Sequence, residues 1–227
     1  MQKISLLHPS RQRVSLALQT ALKWLNHATN STTEIEYILS IDESDPKCDE
    51  YRMIFNRNFP NIKVLVNDNK SAIEAINNAA KVCTGDLLIV VSDDFDCPAN
   101  WDRLLYAYLH DKQDFIVKVD DGIQKFIITI PIMDRTYYNR FGYMYFPGYS
   151  HMFCDSELSS VAYMLDRCIK LDLMFKHNHY IVGGAQRDEI YEKNDKTWKQ
   201  GENLFHQRKL INFGLTEFKQ PYKEGLI

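Results

Sequence analysis

Residues 87–98 read Leu87-Leu88-Ile89-Val90-Val91, then Ser92-Asp93-Asp94-Phe95-Asp96, then Cys97-Pro98. The apolar run predicts a β-strand over residues 87–91. Its lack of any polar residue predicts a strand covered on both faces, in the middle of a parallel sheet. It ends abruptly in three acids within four residues, and those acids set the chemical question.

Working towards the N-terminus, residues 3–7 form a second apolar run, closed by His8-Pro9-Ser10. Val14, Leu18, Ala21, Leu22 and Leu25 then recur at helical spacing. Residues 35–41 predict a strand that ends at Asp42-Glu43-Ser44-Asp45, and residues 62–66 predict another. The stretch around residues 51–55 reads as helix. Ser71 followed by Glu74 is the sequence of a capping box, opening a helix to about residue 82 that Gly85 closes. Alternating strands and helices predict an α/β fold with a mostly parallel central sheet. Ligands of such sheets lie beyond the carboxyl ends of the strands. The segments HPSRQR, DESD, NDNKS and SDDFD each follow a strand, so all four are expected on one rim.

Towards the C-terminus the pattern changes. Residues 115–119 and 125–132 predict strands around an Asp120-Asp121-Gly122 turn. The aromatic stretch 137–149 predicts a loop, residues 156–171 a helix, and residues 173–180 a strand. The polar segment from 189 to 208 is expected to end in a helix. A single domain over 1–227 is expected, with halves meeting near residue 120 and no flexible linker between them.

Composition narrows the class. Of 227 residues, 45% are hydrophobic and 25% charged, as in ordinary globular proteins. A net charge of -3 offers nucleic acid no electrostatic footing. Five cysteines without a CxxC pair suit a reducing compartment. The N-terminal apolar run is too short for a signal peptide, and no stretch approaches the ~18 apolar residues of a membrane span. A cytoplasmic location is expected.

Asp93, Asp94 and Asp96 at one strand mouth repel one another unless a cation or hydrogen-bond donors sit among them. Carboxylate oxygens suit Mg2+ or Mn2+, and such ions bridge diphosphates. A solvated acidic turn is the alternative for the same residues. Arg11 or Arg13 matches phosphate oxygens as a guanidinium fork, or else lies on the surface of the first helix. His177 and His179 share one face if their segment is a strand. Tyr137, Tyr138, Tyr143, Tyr145, Phe146 and Tyr149 suit sugar rings and core packing equally.

In combination these segments resemble the GT-A glycosyltransferases of the large, mainly inverting family two. Ala75-Ile76-Asn77 is similar to that family's Ala-x-Asn helix, Thr84-Gly85-Asp86 to its turn, and Ser92-Asp93-Asp94 with Pro98 to its DXD-type motif. The resemblance implies a GT-A fold with a nucleotide-sugar half over about 1–120 and an acceptor half over about 121–227. It further implies donor contacts from Pro9, Asn77, Asp42 on the base (a uracil imide) and Asp93 near the ribose. Asp94 would meet Mn2+ or Mg2+, joined by Asp96 or by His177 or His179. Asp155 matches the family's general base, with Cys154 in place of the usual preceding Glu; capping of the next helix is the other role open to Asp155, and Glu157 is the reserve base. The implied reaction moves a sugar from a UDP-sugar to an acceptor hydroxyl by inverting single displacement. A sugar nucleotidyltransferase would need a glycine-rich loop after the first strand, and a dehydrogenase would need GxGxxG there. Neither is present. A non-catalytic nucleotide- or sugar-binding protein is the competing class.

Overall fold

The structure, a computed structural model, describes residues 2–179, 183 and 189–225. The strands are β1 (Gln2–Ser10), β2 (Thr33–Asp42), β3 (Ile62–Asn67), β4 (Leu87–Val90), β5 (Phe95–Asp96), β6 (Ile116–Asp120), β7 (Ile132–Asp134), β8 (Cys168–Met174) and β9 (Lys176–His177). The helices are α1 (Val14–Asn26), α2 (Cys48–Asn58), α3 (Ala72–Val82), α4 (Trp101–Leu109), α5 (Arg135–Phe141), α6 (Cys154–Met164), α7 (Glu189–Asp195) and α8 (Trp198–Leu210).

Among the described residues, seven strands form one sheet in the order β3-β2-β1-β4-β7-β6-β8, with β4 in the middle as its apolar sequence predicts. The β1–β2, β2–β3, β1–β4 and β6–β8 pairs are parallel, and β7 alone runs against its neighbours. Alternation sorts the side chains of β4: Leu87 and Ile89 face a core with Trp24, Trp101 and Phe55, while Leu88 and Val90 face one with Ile76, Tyr137 and Leu158. Helices therefore cover both faces. The order of connection reverses between β1 and β4, because β2 and β3 lie on one side of β1 and β4 on the other. A crevice forms at such a switch point, beyond the carboxyl ends of the two strands.

Local chemistry fixes the joints of this frame. Ser71 caps α3 by accepting from the Glu74 amide at 3.1 Å, and the Glu74 carboxylate reaches back to the Lys70 amide at 2.7 Å. Gly85 lies so close to β1 that a Cβ there would sit 2.6 Å from the Ser5 amide nitrogen. β1 continues three residues past its expected end. Its register with β4 stops at Leu7, so the missing N–H of Pro9 costs no bond on that side.

The second half departs further from expectation. Residues 125–131 are loop, and β7 begins only at Ile132. Asp121 curls this segment by accepting from the Ile123 and Gln124 amides and the Thr129 hydroxyl. The expected aromatic loop contains α5, which Asp134 caps through the Tyr137 amide and Gly142 ends at φ 72°. The helix expected over 156–171 stops at Met164, followed by Asp166 at φ 56° and then β8. The strand expected over 173–180 is the end of β8 plus β9, and residue 180 lies outside the described residues. No helix of the described residues is long and apolar enough to cross a membrane. The five cysteines are free thiols.

Candidate functional site

Three of the four polar segments, HPSRQR, DESD and SDDFD, are bonded together at the switch point, while among the described residues NDNKS joins them only through DESD, where the Glu43 amide donates to the Asn67 carbonyl. His8, fully buried on β1, shares a 2.6 Å bond with the Tyr37 hydroxyl through Nδ1 and a 2.8 Å bond with Asp93 through Nε2. Ser10 donates to the other Asp93 oxygen at 2.8 Å. Burial, reinforced by the Asp93 charge, pushes the Tyr37 phenol well up, so it stays protonated. Asp93 therefore locks the end of β1 to the end of β4 with both oxygens occupied. A ribose at Asp93, as the sequence leads us to expect, would compete with these two protein donors.

The turn between β1 and α1 is ordered without glycine. Asp45 accepts from the Gln12 amide at 2.8 Å, and the Tyr51 hydroxyl accepts from the Arg13 amide at 2.9 Å. Pro9 stands half-buried just before it, in register with Ser40. Arg11 leans the other way, with Nη1 2.6 Å from Asp42 at the tip of β2 and 3.3 Å from the Ser44 hydroxyl. The two residues expected on the diphosphate and on the base thus form an ion pair with each other. Arg13 acts electrostatically on His151 and His179, across the crevice.

Asp94 is presented differently from Asp93. Its Oδ1 accepts from the Ser92 hydroxyl at 2.6 Å, and its Oδ2 lies 3.3 Å from His177 Nε2. The short antiparallel ribbon of β5 and β9 sets this pair, placing Phe95 opposite His177, and the Asn178 amide donates to the Asp94 carbonyl at 2.8 Å. The His177 ring stacks on Phe95 with centroids 4.1 Å apart, and the His179 ring lies 5.0 Å further on. Burial lowers the pKa of His179, and the His177 charge adds to that. Asp96 turns towards α1, where Lys23 Nζ approaches to 2.5 Å. Burial raises the pKa of that carboxyl, but the Lys23 bond and charge outweigh burial and hold it low. A metal ion at Asp96 would compete with the Lys23 ammonium. Among the described residues no three His, Cys, Asp or Glu groups cluster as a ready metal cage. Asp94 beside His177 offers one carboxylate and one imidazole, which suits an ion that takes its other ligands from phosphate and water.

Asp155 lies in the first turn of α6. The cap position belongs to Phe153 at φ 70°, without a side-chain cap bond. Its Oδ1 accepts from the Ser156 amide at 2.8 Å. Burial raises its pKa; that amide bond and the nearby His177 oppose the rise, and Asp121 adds to it. A carboxylate poised above its ordinary range, within electrostatic reach of the Asp94–His177 pair, fits a general base.

Two expectations fail for one reason, that the side chain is already satisfied inside the protein. Glu157, 3% exposed, accepts from Arg208 Nη2 at 2.7 Å and from the Tyr149 hydroxyl at 2.8 Å. The Arg208 guanidinium also lies 3.6 Å over the Phe146 ring. Glu157 holds α6 to α8 and is not a base. Asn77 accepts from the Met144 and Tyr145 amides and donates to the Tyr145 carbonyl. It clips the aromatic segment to α3, with its carbonyl oxygen and one of its two N–H donors engaged inside the protein. Tyr137, Tyr138, Tyr145 and Tyr149 are likewise buried in the core.

One residue of the crevice escaped sequence reasoning. His151 is half-buried, and its Nδ1 is sealed from solvent without a hydrogen-bond partner. Burial pulls its pKa down to about 4 against the pull of Asp94 and Asp195. Only its spacing, four residues before Asp155, hinted at it.

A sequence model described as Glycosyl transferase family 2 matches residues 9–161. No curated protein matches the chain by sequence. Among solved structures, the mannosyltransferase PcManGT from Pyrobaculum calidifontis, in complex with GDP-Man and Mn2+, superposes with a TM-score of 0.68 at 13% identity, covering 99% of this chain and 68% of that one. S. aureus TarS 1-349 in complex with UDP gives a TM-score of 0.62 at 13% identity, covering 94% and 72%. Against the longer S. aureus TarS structure the match covers 36% of that chain. At such identity these likenesses show the fold, which is the GT-A fold.

Proposed function

The chain belongs to glycosyl transferase family 2 and is a glycosyltransferase, and on that premise we propose that it moves a sugar from a UDP-sugar to an acceptor hydroxyl by inverting single displacement. One observation carries the proposal: the Asp94–His177 pair at the end of β4 lies within electrostatic reach of Asp155, whose carboxyl burial raises. PcManGT in complex with GDP-Man and Mn2+ lends support for a nucleotide-sugar donor, and TarS 1-349 in complex with UDP for a uracil base.

In this reading residues up to about 120 bind the donor, and those from about 121 to 227 shape the acceptor side. Asp42 accepts from the base, and Arg11 exchanges its partner Asp42 for the diphosphate. Arg13 lies along the same path. Asp94 and His177 would hold Mn2+ or Mg2+, with His179 beside them. When bound, that ion offsets the charge growing on the departing diphosphate. The Asp155 carboxylate takes the acceptor hydroxyl's proton while that oxygen bonds to the anomeric carbon and the bond to the diphosphate oxygen breaks. The product is glycosylated acceptor plus UDP, with the proton on Asp155. Free cysteines in a chain of this kind fit the cytoplasm.

Incubation with a panel of UDP- and GDP-sugars and acceptors, with Mn2+ or Mg2+, tests the proposal through nucleoside diphosphate release and the anomeric configuration of the product. Metal-stimulated transfer with inversion is expected. Retention of configuration would overturn the single-displacement mechanism, and binding of nucleotide sugars without any transfer would point to a binding protein.

A further inference from the structure

We propose that His151 is a specificity residue for the transferred sugar, its Nδ1 pairing with a hydroxyl of the donor's sugar ring. The inference rests on the donor reading above and deepens it.

The starting observation is the buried, unpartnered Nδ1. Leaving a buried polar atom unpaired costs about 1–3 kcal/mol, so such atoms call for an explanation. The position is also held from several sides. The Met152 amide donates to the Thr197 hydroxyl at 3.2 Å, and the Cys154 amide to the His151 carbonyl at 3.4 Å. Gly201 of α8 presses so close that a Cβ there would stand 2.3 Å from the Met152 carbonyl oxygen. The Phe153 ring meets Trp198 and Phe205. A side chain on a turn fixed in this way is preorganised.

Location selects the ligand group. The leaving diphosphate belongs on the Asp94 side and the attacking hydroxyl on the Asp155 side, so the sugar ring must lie between them. His151 feels the charges of Asp94 and Arg13 and stands four residues before Asp155. A neutral imidazole presents one donor or one acceptor at Nδ1, which matches a hydroxyl.

The test is calorimetric binding of UDP and of a panel of UDP-hexoses, each with Mn2+, to wild type, His151→Leu and His151→Asn. In His151→Leu, UDP affinity should stay within about twofold while the preferred UDP-hexose binds roughly tenfold more weakly, a loss of about 1.4 kcal/mol. His151→Asn, whose side-chain amide reaches the place of Nδ1, should recover most of that loss; if the leucine variant fails to fold by circular dichroism, His151→Ala replaces it, with the same tenfold loss expected. A deoxy sugar lacking the paired hydroxyl should bind wild type and His151→Leu alike. Equal weakening of UDP and UDP-hexose would overturn the assignment and place His151 on the diphosphate or metal. Unchanged affinity for both in His151→Leu would also overturn it. Wild type that binds no nucleotide sugar would instead bring down the donor reading itself, and this assignment with it.

Discussion

The rim at the ends of β1, β2 and β4 and the first turn of α6 are both rich in acids, yet they treat them oppositely. On the rim four carboxylates have a cationic or hydroxyl partner: Asp93 with His8 and Ser10, Asp42 with Arg11, Asp94 with Ser92 and His177, Asp96 with Lys23. In α6 the pattern splits. Glu157 is tied to Arg208, while Asp155, two residues earlier, forms no ion pair among the described residues and is raised by burial. Partnered acids suit binding, because a ligand or ion can exchange with the resident partner. A desolvated acid without a counter-charge suits proton transfer, because its affinity for the proton is already increased.

Breaking the α6 side should have the largest effect. Asp155→Asn should lower transfer by ~10²–10⁴-fold with donor affinity unchanged, measured by single-turnover transfer and calorimetry. Transfer by the wild type should rise with pH through an inflection above the ordinary carboxylate range, a limb the variant lacks. The stability linkage has the matching sign. A raised folded pKa means the protonated form favours folding, so this contribution is complete below the unfolded pKa and lost as pH rises through the folded one. The melting temperature of Asp155→Asn should escape that loss. Full transfer activity in the variant would erase the contrast between the two regions.

Glu157→Ala is the sharpest control within the same turn. Stranding Arg208 should cost about 3–5 kcal/mol of stability in chemical denaturation, yet transfer per folded molecule should persist. A stable but inactive variant would restore Glu157 to the chemistry.

On the rim the expected effects are smaller and concern binding. Asp94→Asn should remove the metal-dependent part of UDP affinity, about tenfold, with little change in melting temperature; equal UDP affinity with and without Mn2+ in wild type would refute its role. Asp42→Ala should weaken UDP several-fold and leave the metal dependence intact. If the variant binds UDP as tightly as wild type, the carboxylate serves only to hold Arg11.

Much of the architecture is legible in the sequence because it is local. Five apolar residues before Ser92 make β4 a central strand, Ser71 with Glu74 starts α3, and strand ends followed by polar segments predict the rim. Legibility declines after residue 120, where Asp121 and Asp134 redirect the chain by bonds that apolar periodicity does not encode.

The sequence by itself determined where acids stand relative to strand and helix ends, since hydrophobic period and capping are properties of a few consecutive residues. Only the tertiary structure decided what each acid does. His8 and Asp93 lie 85 residues apart, Asp94 and His177 83, and Glu157 and Arg208 51. A carboxylate's protonation and availability depend on which distant donor, cation or apolar wall reaches it, and chain closure over such separations settles that. Hence Asp155 and Glu157, nearly equivalent in sequence, differ in the fold: among the described residues one is desolvated with no ion-pair partner in contact, and the other is neutralised by a guanidinium from α8.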